Sequence, residues 1–90
     1  MRIAILGAGR VGTTLGRRFA DAGHDVVYGV RAPADPKHAD APGQVLTLAD
    51  AASRSEVLVL TTAWAGAEDT LRAAGDLAGK VLIDATNPIG

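Results

Sequence analysis

The chain has 90 residues, a formal net charge of −1 and no cysteine. This length allows a single domain over residues 1–90, and the absence of cysteine excludes disulfides, thiol catalysis and most zinc sites. The near-neutral charge without a basic run excludes the pattern of a nucleic-acid-binding or membrane-surface protein. No stretch approaches the roughly 18 apolar residues of a membrane span, and the first apolar run is too short for a signal peptide. We therefore expect a cytoplasmic single domain.

The first twelve residues join a short apolar run to a glycine motif. Residues 3–6 are all apolar, and Gly7, Gly9 and Gly12 follow in the spacing G-x-G-x-x-G. In a dinucleotide site the first glycine allows the turn off the strand, the second lets a pyrophosphate approach the backbone, and the third lets the next helix pack closely. A helix starting near Arg10 directs its unpaired N–H groups at the phosphates. The motif predicts a dinucleotide-binding loop, with a structural glycine turn as the alternative.

Apolar runs alternate with helical patterns along the chain. Runs of successive apolar residues rich in Val and Ile are typical of strands buried on both faces of a parallel sheet. They occur at 3–6, 26–30, 57–60 and 81–83, with 44–46 as a weaker fifth candidate.

Three helices are predicted between these strands. The first helix has an apolar stripe and ends at Gly23. His24 follows in the helix-to-strand turn, and we interpret it as structural because this turn lies at the end of the sheet away from any ligand. The second, 48–53, begins after the capping residue Thr47 with Asp50 three positions on. The third, 65–74, stops at Gly75. The apolar stripe of the first helix consists of Val11, Leu15, Phe19 and Ala22.

The alternation predicts an α/β fold: a Rossmann-type doubly wound parallel sheet of about five strands, with helices on both faces and right-handed crossovers. Residues 31–43 depart from it, because prolines at 33, 36 and 42 exclude a regular helix and favour an irregular loop. The complete fold has six strands. We therefore expect an NAD(P)-binding domain with its substrate domain absent from this chain, and a free last strand that pairs with a second copy in a homodimer.

The end of the second strand predicts which dinucleotide binds. NAD sites place an acidic residue about 20 positions after the glycines. Here Arg31 stands nineteen positions after Gly12. A guanidinium can bind the 2′-phosphate and stack on adenine, so this position predicts NADP, with a solvated loop arginine as the alternative. Lys37 and His38 follow in the loop, where they could add to the positive rim of the site, but we interpret both as solvated surface residues.

Five segments of the sequence occur together in one family of oxidoreductases. They are I-A-I-L-G-A-G-R-V-G (3–12), A-G-H-D-V (22–26), Y-G-V-R (28–31), L-T-T-A-W (60–64) and D-A-T-N-P (84–88). Through them the chain resembles, over nearly all its length, the N-terminal domain of the coenzyme F420-dependent NADP oxidoreductases. The first two segments are shared with many NADP-binding dehydrogenases, and their combination with the other three is more specific.

The resemblance implies roles for individual residues. Backbone groups of Ala8, Gly9, Arg10 and Val11 would contact the pyrophosphate, and Arg31 would bind the 2′-phosphate. Val30 departs from the family pattern, in which a Ser or Thr hydroxyl also binds that phosphate, so NADP affinity is expected to be weaker.

The opposite end of the cofactor would lie against a second group of residues. The resemblance implies that Thr61, Thr62, Ala63 and Trp64 line the ribose and nicotinamide side, and that Thr86 and Asn87 lie near the nicotinamide. Trp64 is equally consistent with a lid on the core, and Asn87 with a plain turn after the last strand. Asp84, which ends that strand, is interpreted as a carboxylate bonded to nearby backbone.

The implied activity is hydride transfer between NADP(H) and a deazaflavin. It requires proximity and orientation rather than an acid or base, and we assign no catalytic residue and no metal site. In the family the deazaflavin is held partly by a C-terminal helical portion that this sequence does not include. Two alternatives stay open: the cofactor domain of a hydroxyacid, imine or ketopantoate-type dehydrogenase acting on a small molecule, and a non-catalytic dinucleotide-binding module.

Overall fold

The computed structural model describes residues 1–39, 41–62 and 66–85. Five strands alternate with three α-helices and one 3-10 helical turn. In chain order they are β1 (Arg2–Leu6), α1 (Arg10–Asp21), β2 (Asp25–Val30), the 3-10 turn Pro36–His38, β3 (Gln44–Thr47), α2 (Leu48–Ser53), β4 (Val57–Leu60), α3 (Ala67–Ala74) and β5 (Val81–Asp84).

The strands form one parallel sheet in the order β3-β2-β1-β4-β5. The chain moves outward from β1 to β3 on one side and then crosses back to β4 on the other. The carboxyl ends of β1 and β4 therefore flank the point where the winding reverses, which is where open α/β sheets bind ligands. The predicted doubly wound α/β fold is confirmed.

Each face of the sheet carries its own apolar core. One core joins alternate residues of β1, β2 and β4 to α2 and α3, and the other joins the intervening residues to α1. In β1, for example, Ala4 and Leu6 face the first core, whereas Ile3 and Ile5 face the second. Burial on both faces explains why these strands have no polar alternation.

Helix α1 lies close to the sheet because glycines face it. Its buried residues are Gly12 and Gly16, while Leu15 and Phe19 pack against the core beside them. Val11, predicted in the buried stripe, is instead 53% exposed. The prediction of the buried face was wrong at Val11, because it considered only the spacing of apolar residues. The glycines that pack against the sheet were not part of that pattern.

The helix boundaries agree closely with the sequence pattern. Helix α2 occupies the predicted residues, and Thr47 Oγ1 accepts the N–H of Asp50 at 3.1 Å as the capping pattern requires. Gly23 follows α1 with a φ of +95°. Helix α3 spans Ala67–Ala74 with Gly66 at its N-cap, and Ala65, the first residue of the predicted helix, lies outside the described residues.

Strand β5 differs from the prediction of a strand buried on both faces. Val81, Leu82 and Ile83 are 58%, 43% and 44% exposed. The strand lies at the edge of the sheet and pairs only with β4, and neither core includes its side chains. The apolar composition of β5 correctly indicates a strand, but within the described ranges no helix covers its side chains.

Within residues 1–39, 41–62 and 66–85, none of the helices combines the length and apolar character needed to cross a lipid bilayer.

Candidate dinucleotide-binding site

A cavity of about 580 Å³ opens at the carboxyl ends of β1, β2 and β4. It begins above the glycine loop after β1 and extends on one side to the segment after β2 and on the other to the residues after β4. Its lining residues are Gly7, Ala8, Gly9, Gly29, Val30, Arg31, Ala32, Lys37, His38, Leu48, Thr61, Thr62 and Thr70.

The floor of the cavity is the turn from β1 into α1, and two glycines allow its shape. Gly7 has a φ of +122°, a conformation that residues with a Cβ rarely adopt, and its N–H donates to Gly29 O at 2.8 Å. A Cβ on Gly12 would lie 2.7 Å from Gly7 O and 2.8 Å from Thr61 Oγ1. The first and third glycines thus perform the roles that the motif predicts.

Gly9 occupies the N-cap of α1 and faces open space. Nothing lies within 4 Å of the position that a Cβ would take, and no side chain caps the helix. The carbonyl of Gly9 accepts the N–H of Thr13 at 2.9 Å, while the N–H groups of the first helical turn precede any intrahelical partner. A helix end with free donors and a positive dipole favours an anion.

The β4 side of the cavity is lined by two threonines whose hydroxyl groups differ in their hydrogen bonding. Thr61 Oγ1 donates to Leu6 O at 3.2 Å. Thr62 Oγ1 is buried and has no hydrogen-bond partner in the described structure. A buried hydroxyl without a partner is costly, and a ligand hydroxyl or phosphate oxygen in the cavity would satisfy it. The site therefore fits a polar ligand on this side as well.

All charged residues in the described lining are basic or can become so. They are Arg31, just after β2, with Lys37 and His38 from the 3-10 turn, and no carboxylate accompanies them. Lys37 is exposed, in keeping with our interpretation of it as a solvated residue, and the 3-10 turn nevertheless brings both Lys37 and His38 into the cavity lining. A lining of this charge favours a phosphorylated ligand.

The structure brings most of the predicted site residues together. Those that line the cavity are Gly7, Ala8, Gly9, Val30, Arg31, Thr61 and Thr62; Arg10, Val11 and Gly12 form the first turn of α1 directly after the loop. Ala63, Trp64, Thr86 and Asn87 lie outside the described residues.

Sequence reasoning missed several lining residues. Leu48 and Thr70 belong to α2 and α3, and both are almost fully buried. They reach the cavity only because their helices pack on the same face of the sheet, and no local pattern marks that proximity.

A parallel sheet wound in both directions from its central strand, with a glycine loop and an open helix N-terminus at the reversal, defines a Rossmann-type dinucleotide-binding domain. Residues 2–88 match the family described as "NADP oxidoreductase coenzyme F420-dependent". The chain belongs to this family, and its cofactor is NADP.

Solved structures of similar proteins share the fold. A protein from Arthrobacter sp. FB24, described as an F420-dependent NADP reductase, is 37% identical with a TM-score of 0.86, over 96% of this chain and 45% of its own. The reductive aminase of Aspergillus terreus, in complex with NADPH and ethyl levulinate, is 28% identical with a TM-score of 0.77, over 96% and 32%. An imine reductase variant from Myxococcus stipitatus in complex with NAD+ is 26% identical with a TM-score of 0.73, over 94% and 31%.

The chain thus spans less than half the length of these relatives. The matched part contains the sheet and the cavity.

Proposed function

We propose that residues 1–90 are the cofactor domain of an oxidoreductase that transfers hydride between NADP(H) and a deazaflavin coenzyme of the F420 type. The observation that carries the cofactor half of this proposal is the cavity itself, in which basic residues alone supply charge among the described lining residues, above an uncapped helix N-terminus. The deazaflavin is supported by membership of the family.

The phosphate loop would bind the pyrophosphate through its backbone. Ala8 and Gly9 line the cavity, and Arg10 and Val11 begin α1, so their N–H groups come before the first intrahelical hydrogen bond. Such contacts depend on backbone shape rather than on the side chains at these positions.

The adenosine end would lie beyond β2. In this fold the residue at the end of the second strand contacts the adenosine ribose, and here that neighbourhood contains Val30 and Arg31. Arg31 is exposed and free to form a bidentate pair with a 2′-phosphate. Val30 contributes no donor, which leaves the recognition of this phosphate to basic groups.

The nicotinamide end would lie on the β4 side. Thr61 and Thr62 line the cavity there, and Ala63, Trp64, Thr86 and Asn87 are proposed to extend that wall. When bound, the cofactor would supply the hydride, and the residues on this side would hold its ribose. The deazaflavin would also take up one proton, which water can supply, so the contribution of the chain would be proximity and orientation.

A second copy of the chain is proposed to supply the other wall of the hydride-transfer site. We propose a homodimer formed through β5, since the side chains of Val81, Leu82 and Ile83 are exposed and neither described core includes them. Sedimentation of the parent chain and of Leu82→Lys tests this: the substitution should yield monomers, and a monomeric parent would contradict the dimer. The proposed setting is the cytoplasm, in keeping with a chain that lacks cysteine.

Calorimetric titration with NADPH and NADH, repeated on Arg31→Ala, tests cofactor choice. The parent should prefer NADPH by roughly ten- to a hundredfold, and the variant should lose most of that preference. Equal affinity of the parent for both nucleotides would contradict the NADP assignment.

Activity is tested by mixing NADPH with the oxidised deazaflavin and the protein in its complete, natural form, and following nicotinamide oxidation. Turnover is expected. Tight binding of NADPH without turnover would contradict the proposed hydride transfer and would favour a non-catalytic dinucleotide-binding module.

The second candidate is the cofactor domain of an enzyme that reduces imines. The likeness to a reductive aminase bound to NADPH favours it. An imine offered in place of the deazaflavin distinguishes the two, because only the correct acceptor should oxidise NADPH.

A further inference from the structure

The 3-10 turn Pro36–His38 places a titratable side chain in the wall of the cofactor cavity. His38 lines the cavity and is half-buried. It lies in the connection between β2 and β3, on the side of the sheet where the adenosine ribose binds in this fold.

The backbone of the turn is held in place from within. Asp35 accepts the N–H of Lys37 through Oδ1 at 3.0 Å and the N–H of His38 through its carbonyl at 3.0 Å. The carbonyl of His38 in turn accepts the N–H of Ala41 at 3.1 Å. The position of His38 is therefore set by hydrogen bonds on both sides rather than left to a free loop.

Among the described residues, the charged groups that line this wall with His38 are cationic. Arg31 follows β2, and Lys37 precedes His38 in the turn. Two acidic residues of neighbouring described segments lie outside the lining: Asp35, whose Oδ1 accepts the N–H of Lys37, and Asp50, which is exposed in the first turn of α2. An anionic ligand in the cavity would supply a negative charge that no described lining residue supplies.

The side chain of Val30 offers no hydrogen-bond donor to a phosphate, and His38 would supply one. Val30 is only 6% exposed, lines the cavity and has no hydroxyl with which to bind a phosphate. A proton on the His38 ring would supply a charged donor in its stead.

We propose that His38 is a selectivity residue whose protonated ring binds the 2′-phosphate of NADP, so that the preference for NADP over NAD rises as the pH falls. The proposal rests on the NADP site described above. Histidine is suited to the role because its charge changes between about pH 5 and 8.

The test compares the affinities of NADP+ and NAD+ at several values between about pH 6 and 8.5 by calorimetry. The phosphate itself also titrates near pH 6, so the parent must be compared with a variant that cannot titrate, His38→Asn. His24→Asn is the matched control, since His24 is the other histidine of the chain and lies in the α1–β2 turn at the opposite end of the sheet, 6.4 Å from the Phe19 ring centroid.

In the parent and in His24→Asn, the ratio of NADP+ to NAD+ affinity should increase toward low pH by about tenfold more than in His38→Asn. Titrations in buffers of different ionisation enthalpy should show proton uptake with NADP+ that is absent in His38→Asn. A purely structural role for His38 would not produce this uptake.

Identical pH profiles in the parent and in His38→Asn would overturn the proposal. If NADP+ is still preferred and Arg31→Ala removes that preference, the proposed function stands and only the role of His38 fails. If NADP+ does not bind at any pH, the proposed function itself fails.

Discussion

Thr61 Oγ1 and the carbonyl oxygen of Leu6, which are 55 residues apart in sequence, form a hydrogen bond of 3.2 Å. The N–H of Thr61 donates to the same oxygen at 3.2 Å. The last residue of β1 is thereby joined to the residue after β4, directly beneath the turn at Gly7. This contact connects the two sides of the cavity at the point where the sheet reverses its winding.

Replacing Thr61 with Val should lower the free energy of unfolding by about 1 kcal/mol. The isostere removes the hydroxyl donor but leaves the carbonyl of Leu6 bonded to the backbone N–H, which limits the cost. Urea denaturation followed by circular dichroism measures the change. Thr61→Ser retains the donor and should keep more of the stability, so a serine variant as unstable as the valine variant would contradict this account.

Gly9 and Gly12 should respond differently to alanine. A Cβ on Gly12 would meet Gly7 O at 2.7 Å and Ile5 Cγ2 at 3.1 Å, so α1 must move away from β1 at a cost of about 1–3 kcal/mol. A Cβ on Gly9 meets nothing within 4 Å, and its φ of −80° suits any residue, so stability should stay within about 1 kcal/mol.

The two alanine variants, Gly9→Ala and Gly12→Ala, also distinguish an effect on stability from an effect on NADPH binding. Gly9→Ala places a methyl group where the pyrophosphate must approach and should weaken NADPH binding roughly tenfold or more. Thermal unfolding and calorimetry on both variants provide the comparison. Unchanged NADPH affinity in Gly9→Ala would show that the phosphate does not use this loop.

Restoring a hydroxyl at position 30 should strengthen NADP binding. Val30 lines the cavity beside Arg31, and a serine there would add one hydrogen bond to the 2′-phosphate. The expected gain for Val30→Ser is about 1 kcal/mol for NADPH, with little change for NADH. Val30→Ala is the control for lost side-chain volume, and an equal gain with both nucleotides would contradict a phosphate contact.

Tyr28 should make stability depend on pH in the alkaline range. Burial raises the pKa of the Tyr28 phenol above its usual value of 10.0, and the nearby charge of Arg17 lowers it in part. The folded state therefore favours the neutral phenol. This contribution to stability is complete below about pH 10 and is lost as the pH rises through the folded-state pKa.

The only tyrosine of the chain is Tyr28, so phenolate absorbance reports its titration without interference. The free energy of unfolding of the parent should decrease above about pH 10 relative to that of Tyr28→Phe. A phenol that titrates at the same pH in the folded and unfolded chain would contradict this prediction.

The order of elements could be predicted because local rules determine them. The run at β4 matches its strand residue for residue, and Thr47 begins α2 as its side chain requires. The sequence predicted that β5 has a free edge, but it did not predict that the β5 side chains are exposed, because an apolar run identifies a strand but not the elements that cover its faces. Burial of Val81 depends on neighbours in space, and those are absent from the described residues.

The candidate site was predictable where a residue follows a strand directly. Gly7, Arg31 and Thr61 each come straight after an apolar run, and the parallel sheet brings those ends together. Lys37 and His38 lie in a proline-rich connection without periodicity, so their return to the cavity depends on a turn that the sequence pattern does not reveal. The bond between Thr61 and Leu6 is similarly invisible, since it spans more than half of the chain.

The basic lining of the cavity affects how a nucleotide arrives as well as how it is held. Although the molecule as a whole has a formal net charge of only −1, Arg31 and Lys37 line the cavity without a carboxylate among the described lining residues, and their field attracts a multiply charged anion from solution before any contact forms. Such steering acts over about one Debye length, roughly 10 Å at 0.1 M salt. Added salt should therefore lower the association rate constant of NADP while changing its dissociation rate constant much less. Salt weakens the long-range field but leaves the short-range contacts largely intact.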